Sequence, residues 1–493
     1  MIWRIAKNEF LLHLMTFKFA AGTVVCIILT AVFMPILVKD YQQRLHTYDE
    51  NVSYNEAELH KVVVYKNITP TIYRRPSVLA AFSQGLEKQL GNSATINYNE
   101  VPEIGAGSVN HYMSIFSIFD ASLIFKIVLS VLALLVAYDA VSGERERGTL
   151  RLLLSGSAAR YQVLLGKLLA GLMVLVVPVA VAFALGLAIA LSFRMVGLTG
   201  SDWIRVAIMF LASLVFVATV YNLGLLFSCL ARRSAVSLVL SLFLWIVFVL
   251  VIPNGSVYLA TQLLPVESED KVNEQIALLQ RDSQREFQKE SQASGRTIPP
   301  GSSSTSDAVS CGGFGHGYIR SCNDVLMEYN LIRYGIGVPI EIKYAEKYAE
   351  AEYGRLRTLF EQRRRANNFA RTSPMFLYES MMSALAGTDM ASFQHFIEGV
   401  RGYRKDIIEY IRARTDNFRA AIFFTPCTKE EMVTRPRGDD APPLDLSDLP
   451  RFRYEVDMAG IRRRVVVDLG LLVFENLLFF TLAFLAFVRY DVR

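Results

Sequence analysis

Six apolar runs, each long enough to cross a bilayer, constrain this chain more than anything else in it. They lie at about 19–38, 123–141, 168–193, 204–230, 235–252 and 469–488. Hydrocarbon offers backbone N–H and C=O groups no partner, so a run of roughly 20 apolar residues must be a helix that satisfies them internally. The expected fold class is therefore mainly α: a polytopic membrane protein with six transmembrane helices. Composition says what lies between them. At 52% hydrophobic residues the chain is too apolar for an ordinary soluble protein, and at 20% charged it is too polar to sit wholly in lipid. Residues 39–117 read as a small mixed α/β domain, with a β-like run at 62–65 and a helix at 77–90. Residues 253–468 read as a large, mostly helical domain. Within it, helices are expected at 269–291 and 340–370, then a short one ended by Gly387, then one capped by Thr388 or Asp389 that runs to 414. Pro374 should end the segment before the short helix, and 435–450 is a proline-rich linker. The chain then divides into 1–38, 39–117, 118–252, 253–468 and 469–493.

Several residues inside the apolar runs carry expectations of their own. Arg4, Lys7, Glu9 and Lys18 stand among apolar residues and predict an interfacial helix before an uncleaved first span. Pro178 should kink the third span, and Ala180, Ala184 and Ala188 form a small-residue stripe suited to close helix packing. Asn222 reads as a hydrogen-bonding link between helices. Lys126 and Glu475 are ionisable groups deep in their runs. A lone charge at mid-span costs roughly 2.5–3.5 kcal/mol, so they either pair across helices or reach outward separately. Cys26 and Cys229, two of the five cysteines, read as packing residues.

The segment at 142–167 is unlike the other connections. A link between adjacent spans needs a few residues. This one has about two dozen and opens on alternating acid and base: Glu144, Arg145, Glu146, Arg147. Gly148 and Thr149 break the pattern before Leu150. It is either a surface on which something docks or a solvated loop. An even number of spans puts both termini on one side with Arg4, Lys7, Lys18, Arg145, Arg147, Arg160, Lys167, Arg232 and Arg233, and the positive-inside rule makes that side cytoplasmic. Arg462, Arg463 and Arg464 fall on the other side, where a long domain is exempt from the rule. That side is oxidising, so Cys311 and Cys322 could form a disulfide around a loop of about ten residues; two free thiols are the alternative. His316 between them lacks the further ligands of a metal site.

Chemistry is sparse. The chain has no Walker A motif, no HExxH and no GxSxG, so no catalytic or metal-binding set is expected. A net charge of +5 calls for no nucleic acid, since basic residues at span ends account for much of it.

The run Gly143-Glu144-Arg145-Glu146-Arg147-Gly148-Thr149-Leu150, then Leu153-Leu154-Ser155, Arg160 and Gly166-Lys167, resembles the first cytoplasmic loop of type-2 ABC exporter permeases. Lys7-Asn8-Glu9-Phe10 and the closing Arg489-Tyr490-Asp491-Val492-Arg493 are similar to theirs. Arg371-Thr372-Ser373-Pro374 and Ala386-Gly387-Thr388 resemble the extracytoplasmic insert of one branch, which includes permeases associated with sodium export, nitrous-oxide-reductase maturation and gliding motility. The resemblance covers the six-span frame and the insert in outline, and leaves 39–117 unmatched. It implies that 144–154 is a coupling helix seated on a separate ABC ATPase subunit. The helix bearing Arg4, Lys7 and Glu9 would touch the same subunit. A second permease chain, identical or related, would complete the path. This chain would bind no cofactor and do no catalysis, with ATP and Mg held by the partner ATPase. The implied setting is a bacterial inner membrane, with both termini cytoplasmic. The implied work is export of an unnamed substrate. The alternatives are a mechanotransmitter that works an extracytoplasmic protein partner, and a receptor or scaffold; the short cytoplasmic pieces speak against the last.

Overall fold

The computed structural model describes residues 2–105, 121–150, 159–193, 197–293, 308–311, 318–321, 324–418, 421, 424–426 and 443–489. Six helices among them are long and apolar enough to cross a membrane: Phe17–Leu59, Ser122–Glu146, Arg160–Ser192, Gly200–Leu230, Ser234–Leu263 and Met458–Val488. The protein is a mainly α, polytopic membrane protein. A short helix α1 (Ile2–Leu14) precedes them.

The helices overrun their sequence-predicted ends, because an apolar pattern stops where lipid stops and a hydrogen-bonded helix need not. Helix α2 (Phe17–Leu59) has 43 residues. At about 1.5 Å per residue it is roughly 65 Å long, about twice the thickness of the hydrocarbon. Residues 39–59, expected in a separate domain, are its outer half. The second span enters through a π-helical turn at Phe125–Leu129, continues as α3 (Ser130–Ala137) and, after a turn, ends in the short helix α4 (Ser142–Glu146). The third and fourth are α5 (Arg160–Ser192) and α6 (Gly200–Leu230). Pro178 lies inside α5 without ending it. The fifth does not end at Pro253: α7 (Ser234–Ile246) passes through a π-helical turn at Val247–Val251 into α8 (Ile252–Leu263). The proline ring would clash with a carbonyl one turn back, and the extra residue of a π turn relieves that clash.

Helix α6 is the centre of the bundle, with Phe216, Val220, Tyr221 and Leu223 fully buried along it. It meets α5 where Gly171 leaves room for a ring: a Cβ there would lie 2.1 Å from Tyr221 Cζ. The expected stripe does not make this contact. Ala184 and Ala188 are exposed, and the packed face of α5 runs instead through Gly171, Val174, Pro178, Ala182 and Gly186. The expected link at Asn222 is present: its Nδ2 donates to Asn476 Oδ1 at 3.3 Å, across to α13 (Met458–Val488). Cys26 and Cys229 are buried free thiols.

Besides the six spans the chain has α9 (Glu269–Ala293), α10 (Asp324–Ala370), α11 (Pro374–Ala386) and α12 (Met390–Arg414). Two small sheets accompany them. One is antiparallel, ordered β1 (Thr71–Tyr73), β2 (Ser93–Thr95), β3 (Glu103–Gly105). The other is ordered β4 (Ala308–Cys311), β5 (Tyr318–Ser321), β6 (Phe424–Pro426). The β-like run at 62–65 is not a strand: Tyr65 opens a 3-10 turn, and 77–90 holds only a 3-10 turn at Val78–Ala81. The regions read as two outer domains share one apolar core. Val62, Ile68, Ile72, Ile96 and Tyr98 pack with Val338, Phe396, Val400 and Ile407. A three-residue strand cannot bury its own apolar face, and α12 supplies the surface it needs.

Helix α11 is the feature that sequence reasoning missed. Its Met375, Leu377, Tyr378, Met381 and Met382 are buried in the membrane bundle's core, not in the outer one. Tyr378 stacks on Phe216 at 4.5 Å between centroids, and its hydroxyl lies 3.1 Å from Ser213 Oγ. Ser373 caps the helix, accepting from Phe376 N, and donates to Phe248 O at 2.7 Å. Pro374 therefore begins this helix. Gly387, at φ +71°, ends it in the left-handed region that glycine adopts without strain. The last carbonyls are taken by Ser77 Oγ, on Ala386 O at 2.5 Å, and by the Arg74 guanidinium on Gly387 O. The next helix, α12, is capped by Asp389, which accepts from Ser392 N.

Candidate functional site

The candidate site is the end of the bundle that carries α1 and α4. Lys167, near the start of α5, is the residue that organises it. Its side chain is 3% exposed, and its Nζ lies 2.7 Å from both Glu9 Oε1 of α1 and Glu144 Oε1 of α4. A buried ammonium is costly unless it is paired. Here it has two carboxylates, one from each element that the sequence had singled out. Tyr221 Oη donates to the Lys167 carbonyl at 3.0 Å and ties the cluster to α6. Helix α1 closes over it because Gly166 has no side chain: a Cβ there would lie 2.8 Å from Ile5 Cγ2.

The charges of 144–147 then do four different things. Glu144 faces inward to Lys167. Arg145 donates from Nη1 to Ala231 O at 2.9 Å and from Nη2 to Cys229 O at 3.1 Å, satisfying carbonyls left over at the C-terminus of α6. Glu146 accepts from Ser234 N at 3.1 Å and Ser234 Oγ at 2.6 Å, and so caps the N-terminus of α7 from outside. Arg147 is exposed. Gly148 follows at φ +75° with nothing within 4 Å of where a Cβ would be, and Thr149 is exposed beside it. Leu150, which follows, is buried at 2% exposure.

Two further side chains hold the turn. Ser228 Oγ accepts from Val141 N at 2.9 Å and Ser142 N at 3.0 Å. Lys18, at the start of α2, reaches Asp139 at 2.7 Å and Tyr138 Oη at 2.5 Å. On α1, Arg4 and Lys7 are exposed on the side away from Lys167, whereas Glu9 is drawn inward. Of the described residues singled out in the sequence at this end, Arg4 and Lys7 together with Arg147, Gly148 and Thr149 are left on the free surface. Sequence reasoning grouped Glu144, Arg145 and Glu146 with them. The structure spends those three on internal bonds, and the signal was available: a lysine at the head of an apolar run requires an acid nearby.

The other sequence-predicted residues lie elsewhere. Lys126 does not meet Glu475. It pairs with Glu379 of α11, the helix that inserts beside its π turn, while Glu475 Oε2 is buried without a hydrogen-bond partner among the described residues. Neither alternative, a pair between the two or separate outward reach, took account of a carboxylate on a segment too short to look like part of the bundle. Cys311 falls in β4, but Cys322, His316 and Cys427 lie outside the described residues, as do Leu153, Leu154 and Ser155. No group of three or more metal-ligating side chains occurs among the described residues.

The sequence model of the ABC-2 family transporter proteins matches residues 3–302, from α1 through all of the first five spans. The chain belongs to the ABC-2 transporter family. A second model, a domain of unknown function (DUF3526), matches residues 342–425 and so takes in α11 and α12. The chain is also similar to the probable ABC transporter permease protein NosY of Stutzerimonas stutzeri, with 36% identity over 153 residues. That match spans 30% of this chain and 52% of the relative, about half of its length. The ABC-2 match includes every residue of the Lys167 cluster, so the family resemblance and the buried ion pairs fall on the same part of the molecule.

Proposed function

We propose that this ABC-2 family chain is the permease subunit of an ATP-binding cassette exporter. The observation that carries this reading is the Lys167 cluster. It joins an exposed turn at 147–149 to α1 and α5, while Arg145 and Glu146 join the same turn to the ends of α6 and α7. A push on that turn is delivered to four elements through charge-assisted bonds, which are short and directional. A separate ATPase subunit, holding ATP and Mg, would seat on Arg147, Gly148 and Thr149 and on Arg4 and Lys7. Closure of that subunit would then move α5 and α6 against each other. This side is cytoplasmic, in a bacterial inner membrane. Arg464, which counted against that orientation, is bound into the outer region by Asp389 at 3.0 Å, and a charge held by an outer domain does not report on orientation.

A second permease chain completes the path. Only 17% of the apolar window is buried in the fifth and in the sixth span, against 61% in the second. Those faces are available to lipid and to a partner copy. A mechanotransmitter reading has one observation in its favour: α11 lies in the membrane core yet continues directly into the outer helix α12, so bundle motion reaches the outer region without a substrate.

The test is co-purification from native membranes. An ATP-binding subunit should come with the wild-type chain and be lost with the double variant Arg147→Glu, Thr149→Trp, which touches no internal bond except a weak one from Thr149 to Glu144 O. Equal recovery of the subunit with both chains would sink the seating. Substrate-stimulated ATP hydrolysis would separate export from purely mechanical work.

A further inference from the structure

The outer end of the bundle holds a cavity of 1380 Å³, walled by the outer half of α2, the segment around 83–93, the π turn at Lys126, and helices α10, α11 and α13. Its charge is unusual. Eight of its wall residues are lysines or arginines. Five of these are matched by carboxylates: Arg44 and Lys88 by Asp40 and Glu87, Lys126 by Glu379, Arg464 by Asp389, and Arg371 by the buried Asp468. The other three, Arg363 and Arg364 of α10 and Arg463 of α13, have no ion-pair or hydrogen-bond partner among the described residues. The cavity therefore presents three uncompensated guanidinium groups from two helices. All three are exposed to it rather than folded onto a neighbour.

We propose that this cavity binds a phosphate ester through Arg363, Arg364 and Arg463. Guanidinium groups present paired N–H donors in a fixed fork that fits two oxygens of a phosphate, and several of them around one site favour a dianion over a single carboxylate. The volume exceeds what a bare phosphate needs and has room for an organic group of ordinary ligand size, about 300–1,000 Å³. The edge-to-face rings of Tyr48 and Tyr73, 6.5 Å apart, and the amides of Asn51 and Asn367 line the wall where that group would lie. The matched pairs have a role in this: Arg371, next after the end of α10, ties that helix to Asp468 of α13, and Asp389 ties α13 to α12, so the helices that carry the three free arginines are held against each other. Lys126 at the floor belongs to a membrane span, so the site opens at the level of the outer phospholipid headgroups. A lipid phosphodiester, a monoanion, and a soluble phosphate monoester, a dianion, both present paired phosphoryl oxygens to the guanidinium forks. The proposal does not depend on the exporter reading, since it concerns binding alone.

The experiment uses the full chain in two arms. In the first, protein in detergent is titrated with inorganic pyrophosphate by calorimetry. In the second, protein is taken from nanodiscs of mixed phosphatidylglycerol and phosphatidylcholine, and the retained lipid is counted by native mass spectrometry. The triple variant Arg363→Gln, Arg364→Gln, Arg463→Gln should bind at least ~10-fold more weakly, whereas Lys289→Gln, exposed on α9 away from the cavity, should match wild type. Pyrophosphate binding without preference for phosphatidylglycerol would assign a soluble ester; selective retention of phosphatidylglycerol would assign a lipid. Either supports the site. No binding in either arm by wild type, or equal binding by the triple variant, overturns it. Should the triple variant fail to fold, Arg463→Gln alone must still weaken binding, and an unchanged affinity there overturns the proposal equally.

Discussion

The two ends of the bundle use one device with opposite sign. Near the termini a cation is buried: Lys167, 3% exposed, between Glu9 and Glu144. At the other end an anion is buried: Asp468, 0% exposed, takes Arg371 at 2.8 Å and the Ser380 hydroxyl at 2.7 Å. Each charge sits on a membrane-spanning helix and captures a short element packed at that end of the bundle. Lys167 captures α1 and α4; Asp468 captures the head of α11 through Arg371 and its middle through Ser380. The difference lies in the partners. Both acids around Lys167 are mostly shielded, at 18% and 20% exposure, so their charge has nowhere to go if the lysine is lost. Arg371 is 27% exposed and long, and can turn to water. The first cluster should therefore be the less replaceable.

That difference can be measured. The largest effect belongs to Lys167→Met, which leaves two carboxylates facing each other in a shielded site. Removing one partner of a buried ion pair costs ~3–5 kcal/mol, so the chain should lose most of its thermal resistance in detergent. A melting curve within a degree or two of wild type would end the argument that Lys167 organises this end. Asp468→Leu should cost less, about 1–3 kcal/mol, because Arg371 regains water. Were it the more damaging of the two, the ranking by shielding would be wrong. Ser373→Ala removes the cap of α11 and its bond to Phe248 O, a loss of about 0.5–2 kcal/mol. Faster proteolysis at the head of α11, with the termini end unaffected, is the expected readout, and equal digestion of both ends would show that the two clusters are not independent.

The smallest effect is a pH dependence confined to the termini end. Burial holds the His13 pKa below its ordinary value, against the pull of Glu9 and Asp139 and with help from Lys167 and Lys18. Below about pH 6.5 the unfolded chain takes up a proton that the folded chain refuses, so the stability owed to neutral His13 is complete above that pH and declines as pH falls toward the folded pKa. Melting temperatures taken from about pH 7.5 down to about 5.5 should fall more for wild type than for His13→Gln. Parallel curves would remove His13 from the account.

Much of this was legible in the residues. Six apolar lengths announced the spans. Pro374, Gly387 and Asp389 marked helix boundaries that are present in the structure: α10 stops at Ala370, just before Pro374, which also begins α11. The alternating charges at 144–147 announced a special surface. Their assignment was not legible, because alternation along a sequence does not say which side chain faces in. Glu144, Arg145 and Glu146 turned out to hold three different helices, and only Arg147 stayed free. Nor was α11 legible as part of the bundle. Thirteen residues are too few to cross a bilayer, so its methionines and Tyr378 read as part of an outer domain.

By itself, then, the sequence determined what each stretch must avoid. Apolar runs must leave water, lone charges must find partners, and glycine and proline must sit where the backbone turns or begins. These are local demands, set by the solvation of each side chain and the backbone freedom of each residue. Which partner meets each demand was decided only by tertiary structure. Lys126 found Glu379 and not Glu475, and Lys167 found Glu9 across 158 positions, because helix packing sets which faces meet and nothing in a linear pattern encodes that distance.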